Sequence, residues 1–492
     1  MNCSARPCAA ARRSWRLPPG WISRRWASTP SRRNEGQQVN NRSTVRTVAI
    51  VAMASLALAS CGVFKKGGGR SRTPTIGERI PILSFETRVE AETELKDLAI
   101  VLPPPETNAE WAQPGGSAAK VGGHLVLAEQ PAQVWSASIG KGSSGTARLN
   151  AAPVVGAGKV FTVDIGGQVS AFDAKSGAVA WRATVKIPKR GSRAAFGGGV
   201  AYGDGRVYVA TGYGVALAYD AETGKQLWER PLVQPLRGAP SVSGPRVFFL
   251  SQDNQLHALD GATGEVSWTV PGTVEPACIL GTGAPAVSLD TVVAGFCSGE
   301  LKALRGENGR TVWEDQLART GRSTAMAALA DIDGSPVIDR GRVFAVGHGG
   351  RMVALELATG QRVWERNFAG VWTPWAAGEF LYLVTVDGEV LCITRSEGKL
   401  RWVSRLARFK KDKPGKNGKP GVQKGPILWA GPVLASERLW VASSNRELVA
   451  LDAYEGKRVA SIKLKAEAYL PPVVAGGMMY MLTDDGSLTA YR

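Results

Sequence analysis

Along much of this chain apolar residues alternate with polar or small ones in short runs, and the runs come in pairs. Val160-Phe161-Thr162-Val163 and Val169-Ser170-Ala171-Phe172 are one such pair, and their two-residue period predicts neighbouring strands. Ile165-Gly166-Gly167 between them supplies the positive φ that a tight hairpin requires. Asp173 follows the second run, Gly177 stands four positions on, and Trp181 four beyond that. The Asp carboxylate accepts backbone N–H groups of a turn, and the Gly takes the left-handed position where a Cβ would clash. The Trp falls on a third strand, where its ring fills the space between neighbouring sheets.

The same phrase recurs at Asp220, Gly224 and Trp228 and at Asp260, Gly264 and Trp268. Degraded copies follow at Arg305 to Trp313, Glu356 to Trp364 and Thr394 to Trp402, and the last, Asp452 to Gly456, has Ala460 in place of Trp. The copies lie about 45 residues apart, the period of four-stranded propeller blades. Hairpins open near Val160, Val207, Val247, Val292, Val343, Leu381, Leu439 and Met479. Trp135 precedes the first hairpin without one of its own, while the final hairpin lacks a Trp strand. These complementary ends predict an all-β fold: an eight-bladed β-propeller of four-stranded antiparallel blades over residues 132–492, closed by its N- and C-terminal strands so that no sheet edge is exposed.

Charge changes the picture less than the net +18 implies. Residues 1–70 hold 13 Lys/Arg and one acid, Glu35, and residues 408–424 hold seven basic residues and Asp412. The rest is close to neutral, without the basic stripe of a nucleic-acid binder. The insertion 408–425, rich in Lys, Gly and Pro, reads as a solvated, mobile loop, with anionic lipid head groups as a candidate contact. Arg42 and Arg46 precede an apolar run from Val48 to Ala59, too short to span a bilayer but suited to a signal segment. Leu58-Ala59-Ser60-Cys61-Gly62 resembles the bacterial lipobox, which assigns Cys61 as the lipidated residue, residues 39–60 as the signal peptide and the membrane as a partner through the lipid anchor. Residues 1–38 precede that signal, so Val39 is the expected start and 1–38 an extension from start-site choice. Residues 61–131, punctuated by Gly and Pro, read as a tether, with a short helix expected within 89–98.

From Trp135 to Arg492 the chain resembles the quinoprotein-like propeller repeats, and with the lipobox it resembles the BamB family, the propeller lipoproteins of the outer-membrane β-barrel assembly machinery. Pro235-Leu236-Arg237-Gly238-Ala239-Pro240 resembles that family's Leu-Arg-Gly-x-x-Pro segment. Leu329-Ala330-Asp331-Ile332-Asp333-Gly334-Ser335-Pro336 resembles its Asp-x-Asp-x-x-Pro segment. The resemblance implies a non-catalytic scaffold at the periplasmic face of the outer membrane, without a cofactor or metal. It names Leu236, Arg237, Asp331 and Asp333 as contacts to a POTRA domain of the barrel subunit, BamA, and unfolded outer-membrane proteins as further partners. The family's Leu two places before the Leu-Arg pair is Gln234 here. The four contact positions lie on inter-blade connections of one face, so their substitution is expected to leave stability little changed.

A quinone-dependent dehydrogenase is the alternative, since such enzymes share the repeat, and a propeller with some other periplasmic partner is a third reading. Resemblance to the dehydrogenases would imply a calcium cage, a catalytic Asp and adjacent cysteines, and no Cys-Cys pair occurs in this sequence. His124, His257 and His348 fall in separate segments, so neither a metal cluster nor a Ser-His-Asp set has its parts. Cys278 and Cys297 lie in one repeat, where a bridge and two buried thiols both stand as readings, and Cys392 is a lone third.

Overall fold

The inner, middle and outer strands of each predicted repeat do pair as one sheet. In the computed structural model, which describes residues 89–186, 197–232, 234–275, 278, 281, 283–317, 331–411 and 423–492, eight antiparallel four-stranded sheets follow one another along the chain. Seven are continuous: 154–184, 198–231, 241–271, 286–316, 337–366, 375–405 and 429–463, here blades 1 to 7. Blade 8 takes Val473–Ala475, Met478–Leu482 and Ser487–Tyr491 from the end of the chain and Gln133–Ser138 as its outer strand. The register runs from Trp135 opposite Ala490 to Ser138 opposite Ser487, so the ring closes as the unmatched ends require. Cys61 and the signal segment lie outside the described residues.

The Trp and Gly of the repeat serve one another across blades. Each Trp crosses to the turn of the next blade: the Nε1–H of Trp135 donates to the carbonyl of Ala174 at 3.1 Å, Trp181 to Ala221 at 2.9 Å, Trp228 to Gly261 at 3.0 Å and Trp364 to Arg395 at 2.9 Å. The turn glycine beneath it has two reasons to be Gly. Gly224 has φ +71°, and a Cβ there would stand 2.6 Å from the Trp181 ring; Gly177 under Trp135 and Gly264 under Trp228 repeat the geometry. The turn Asp acts as expected: Asp173 Oδ1 accepts from the Ser176 N–H at 2.8 Å and hydroxyl at 2.7 Å, which holds its carboxyl below the ordinary range. Ala460 stands at the missing Trp position, opposite Ala450. The blade it faces is the one joined from the two chain ends, where no Asp-to-Gly turn exists for an indole to cover.

The tether expected through residue 131 is corrected from Ile100 onward. Ile100, Trp111, Leu125 and Leu127 are buried in the same core cluster as the strands of blades 6, 7 and 8, because the segment carries apolar side chains that a free tether would leave in water. Thr93–Leu95 is a single 3-10 turn. Residues 106–125 then form a strap that hydrogen-bonds along the innermost strands. The insertion after blade 6 is also less loose than expected: Phe409–Lys411 pairs with Gln423–Pro426 as a two-stranded ribbon, and Lys410 Nζ meets Glu467 at 2.8 Å. Its tip, 412–422, lies outside the described residues.

One strap side chain gives a pH signature. Lys120 is 1% exposed, with Nζ hydrogen-bonded to Gln113 Oε1 at 3.2 Å and Ser241 Oγ at 2.8 Å, and no carboxylate pairs with it among the described residues. Burial pushes its pKa down to about 7 from 10.5. Between those values the folded chain holds less of a proton at this site than the unfolded chain does, so the contribution to stability rises with pH, by up to about 1.4 kcal/mol per unit. Wild type is therefore expected to gain stability over Lys120→Met between pH 7 and pH 10, read as the difference in urea midpoints. A constant difference across that range would contradict the burial.

Candidate functional site: a buried ion cluster between blade connections

The connection from blade 2 to blade 3 does not hang over the surface. Leu236 N–H donates to Thr211 O at 3.1 Å, Arg237 N–H to Leu250 O at 2.8 Å, and Gly198 N–H to Arg237 O at 3.0 Å. These bonds stitch the segment to blade 2 on one side and blade 3 on the other. Gly197 permits the close approach, since a Cβ there would lie 2.0 Å from Leu236 O. Leu236 is thereby fully buried, in one cluster with Trp228, Leu232 and Phe249.

The connection from blade 4 to blade 5 is held in the same way. Ile332 N–H donates to Phe296 O at 3.2 Å, His348 N–H to Asp331 O at 2.8 Å, and the Ser335 hydroxyl accepts from Ala284 N–H at 3.0 Å. This brings both carboxylates to Arg237, whose Nη2 is 3.5 Å from Asp331 Oδ1 and 3.3 Å from Asp333 Oδ1. Arg237 is 3% exposed, Asp331 1% and Asp333 3%. Burial pushes the Asp333 pKa up to about 6, with Arg237 pulling the other way. Among the described residues Arg237 Nε and Nη1 and Asp333 Oδ2 have no hydrogen-bond partner, so the guanidinium fork is not saturated. Gly281 closes the cluster: a Cβ there would sit 1.7 Å from Asp333 Oδ1.

The structure thus brings together all four residues singled out in the sequence and places none of them with its side chain in solvent. Their burial is at odds with direct side-chain contact to a partner and with the expectation that their substitution leaves stability little changed. In sequence, inter-blade connections look like surface loops, but these two fold inward because their backbone N–H and C=O groups complete the edges of adjoining blades. Beside the cluster Cys278 and Cys297 form a disulfide, while Cys392 is a buried free thiol whose pKa burial pushes up. The two bridged sulfurs and an Asp331 oxygen lie within 4.8 Å of one another, and being bonded to each other the sulfurs are not thiolate ligands. Two of the histidines are tied into the scaffold by their rings, while His348 Nδ1 has no hydrogen-bond partner among the described residues. His124 Nδ1 meets Pro103 O at 2.7 Å and its Nε2 accepts from Glu437 N–H at 2.9 Å, which fixes the ring's orientation. His257 meets Thr269 Oγ1 at 3.1 Å and Ser251 Oγ at 3.3 Å.

Eight blades of this repeat define a quinoprotein-type propeller. The chain belongs to the family of the outer membrane protein assembly factor BamB, whose profile matches residues 122–192, 166–404 and 407–492. The outer membrane protein assembly factor BamB of Alkalilimnicola ehrlichii is 32% identical over 363 residues, spanning 73% of this chain and 88% of that protein. Among solved structures, BamB from Moraxella catarrhalis superposes with a TM-score of 0.62 at 19% identity, over 74% of this chain and all of that one. The quinohemoprotein alcohol dehydrogenase of Comamonas testosteroni superposes at 0.57 with 15% identity, over 78% of this chain and 80% of that one; that likeness is one of fold alone.

Proposed function

We propose that this chain is a non-catalytic scaffold lipoprotein, anchored through Cys61 at the periplasmic face of the outer membrane. There it binds the POTRA region of the BamA-type barrel subunit and presents it for assembly of β-barrel proteins. One observation carries the reading beyond family membership. The two segments that resemble the family's contact segments come from connections two blades apart and meet in a single ion cluster, so they form one surface on a rigid ring rather than two loops. The buried side chains act by positioning: Arg237 and the two aspartates fix the backbone of both connections, and a partner meets the groups around them, such as exposed Gln234. Pre-organised loops on a rigid scaffold bind without the ordering cost of mobile ones.

Co-purification tests the assignment. The barrel subunit should be recovered with the tagged full-length protein from detergent-solubilised outer membranes; recovery of the tagged protein without it would overturn the proposal. Anchoring is tested separately. Cys61→Ser should abolish incorporation of labelled palmitate and cleavage at that residue, because the acyl chains have no thiol to join. Equal labelling of variant and wild type would end the lipoprotein reading.

A further inference from the structure

The strap meets the eight blades in ring order, and at one equivalent position of each innermost strand or the residues beside it. Asn108 lies against blade 8, its O accepting from Gly476 N–H at 2.7 Å and its Nδ2 donating to Val474 O at 2.8 Å. Trp111 exchanges both backbone bonds with Val155 of blade 1 at 2.8 Å, and Ala112 O accepts from Tyr202 N–H of blade 2 at 2.6 Å. At blade 3 a side chain replaces the backbone: Gln113 Oε1 accepts from Val242 N–H at 3.0 Å and Nε2 donates to Val242 O at 3.1 Å. Ala118 O and Ala119 O accept from Val287 of blade 4 at 2.8 Å and Ile338 of blade 5 at 2.9 Å. Gly123 O takes the Trp375 Nε1–H of blade 6 at 2.7 Å, and Leu125 pairs with Leu434 and Ser436 of blade 7. Val155, Tyr202, Val242, Val287, Ile338, Leu434 and Val474 all face the second residue of the next strand, respectively Val160, Val207, Val247, Val292, Val343, Leu439 and Met479.

An innermost strand of a blade has one edge with no strand beside it, and buried backbone groups there need partners. Here the edges of seven blades find one in the strap, and blade 6 gives it the Trp375 indole N–H instead. The sequence that winds it is specific: Trp111 stacks on Trp375 with ring centroids 5.8 Å apart, Gly115 and Gly116 at φ +76° and +87° make the turn, and Gly122 passes where a Cβ would lie 2.1 Å from the Trp375 ring.

We infer that the axis-facing edges of the eight innermost strands are a binding site for an extended peptide, and that residues 106–125 are its resident occupant, locking the ring as one unit. The ligand class is an unfolded segment with a Trp followed two residues later by an amide side chain and then a Gly-Gly turn. The inference does not rest on the proposed partner. It means that the membrane tether is gripped at the hub of the ring and that the axis is closed to other strands.

A protease site inserted between exposed Glu129 and Gln130 in the full-length protein tests this. After cutting, the N-terminal fragment is expected to stay with residues 130–492 through gel filtration. In the variant W111A/Q113A/K120A its retention after the cut should fall about a hundredfold. Fragment loss accompanied by unfolding of the ring would equally show that the ring depends on the occupied site. Release of the wild-type fragment from a ring that keeps its strand content and thermal midpoint would overturn the inference.

Discussion

Replacing Arg237 by glutamate is expected to destabilise the propeller by about 3–5 kcal/mol, the cost of leaving buried charge uncompensated. Arg237 is the cation that meets both Asp331 and Asp333, and all three side chains are out of water. Reversing its charge puts a third carboxylate against two others, so the site must take up protons, admit water or release the connections from their blades. Arg237→Met should cost less, since Asp333 already sits near pKa 6 and protonates without great penalty. Urea midpoints of the two variants and wild type check both statements. A midpoint unchanged in Arg237→Glu would mean that the cluster is solvated, as its position on inter-blade connections suggests from sequence alone. It would also remove the physical basis for the two segments acting as one surface.

Trp181→Ala should cost about 3–5 kcal/mol, the range for emptying a buried aromatic site. Its indole is 8% exposed, covers Gly224 and gives its N–H to Ala221 of the next blade, so the lost packing falls between blades rather than within one. Gly224→Ala should destabilise too, because both the positive φ and the 2.6 Å approach to the same ring oppose a Cβ,. Ala460→Trp provides the contrast. With no turn on the facing blade to receive an indole, it should gain nothing comparable, and a stabilisation there as large as the Trp181→Ala loss would contradict the pairing of Trp with turn. Thermal midpoints of the three variants decide it.

What was legible in the sequence is what repeats. Asp173, Gly177 and Trp181 each perform a local task, and a local task repeated from blade to blade leaves a pattern. The number of blades, the hairpin positions and the closure by Trp135 all follow from that pattern. The strap left none, because each of its contacts is made once and in its own way: Trp111 pairs with Val155 and stacks on Trp375, Gln113 bonds Val242 through its side chain, and Lys120 reaches the Ser241 hydroxyl. Pro and Gly along it look like linker punctuation, although Gly115, Gly116 and Gly122 are there for turns and close passage. The apolar run Leu125-Val126-Leu127, with Trp111 before it, was the available signal. The site was legible in identity but not in burial. Nothing local to Leu236-Arg237 distinguishes a loop that projects from one that folds onto its neighbours, and its partner Asp333 is 96 residues away in sequence.

The most direct test of the scaffold reading is the dissociation constant of full-length, folded protein for the purified POTRA region of the barrel subunit, compared with that of Gln234→Lys. Gln234 is exposed beside the buried cluster, so its substitution leaves the fold intact. The account predicts saturable binding by wild type, weakened about tenfold or more in Gln234→Lys with no change in thermal midpoint. Absence of saturable binding by the folded wild type, or equal constants for the two proteins, would contradict it.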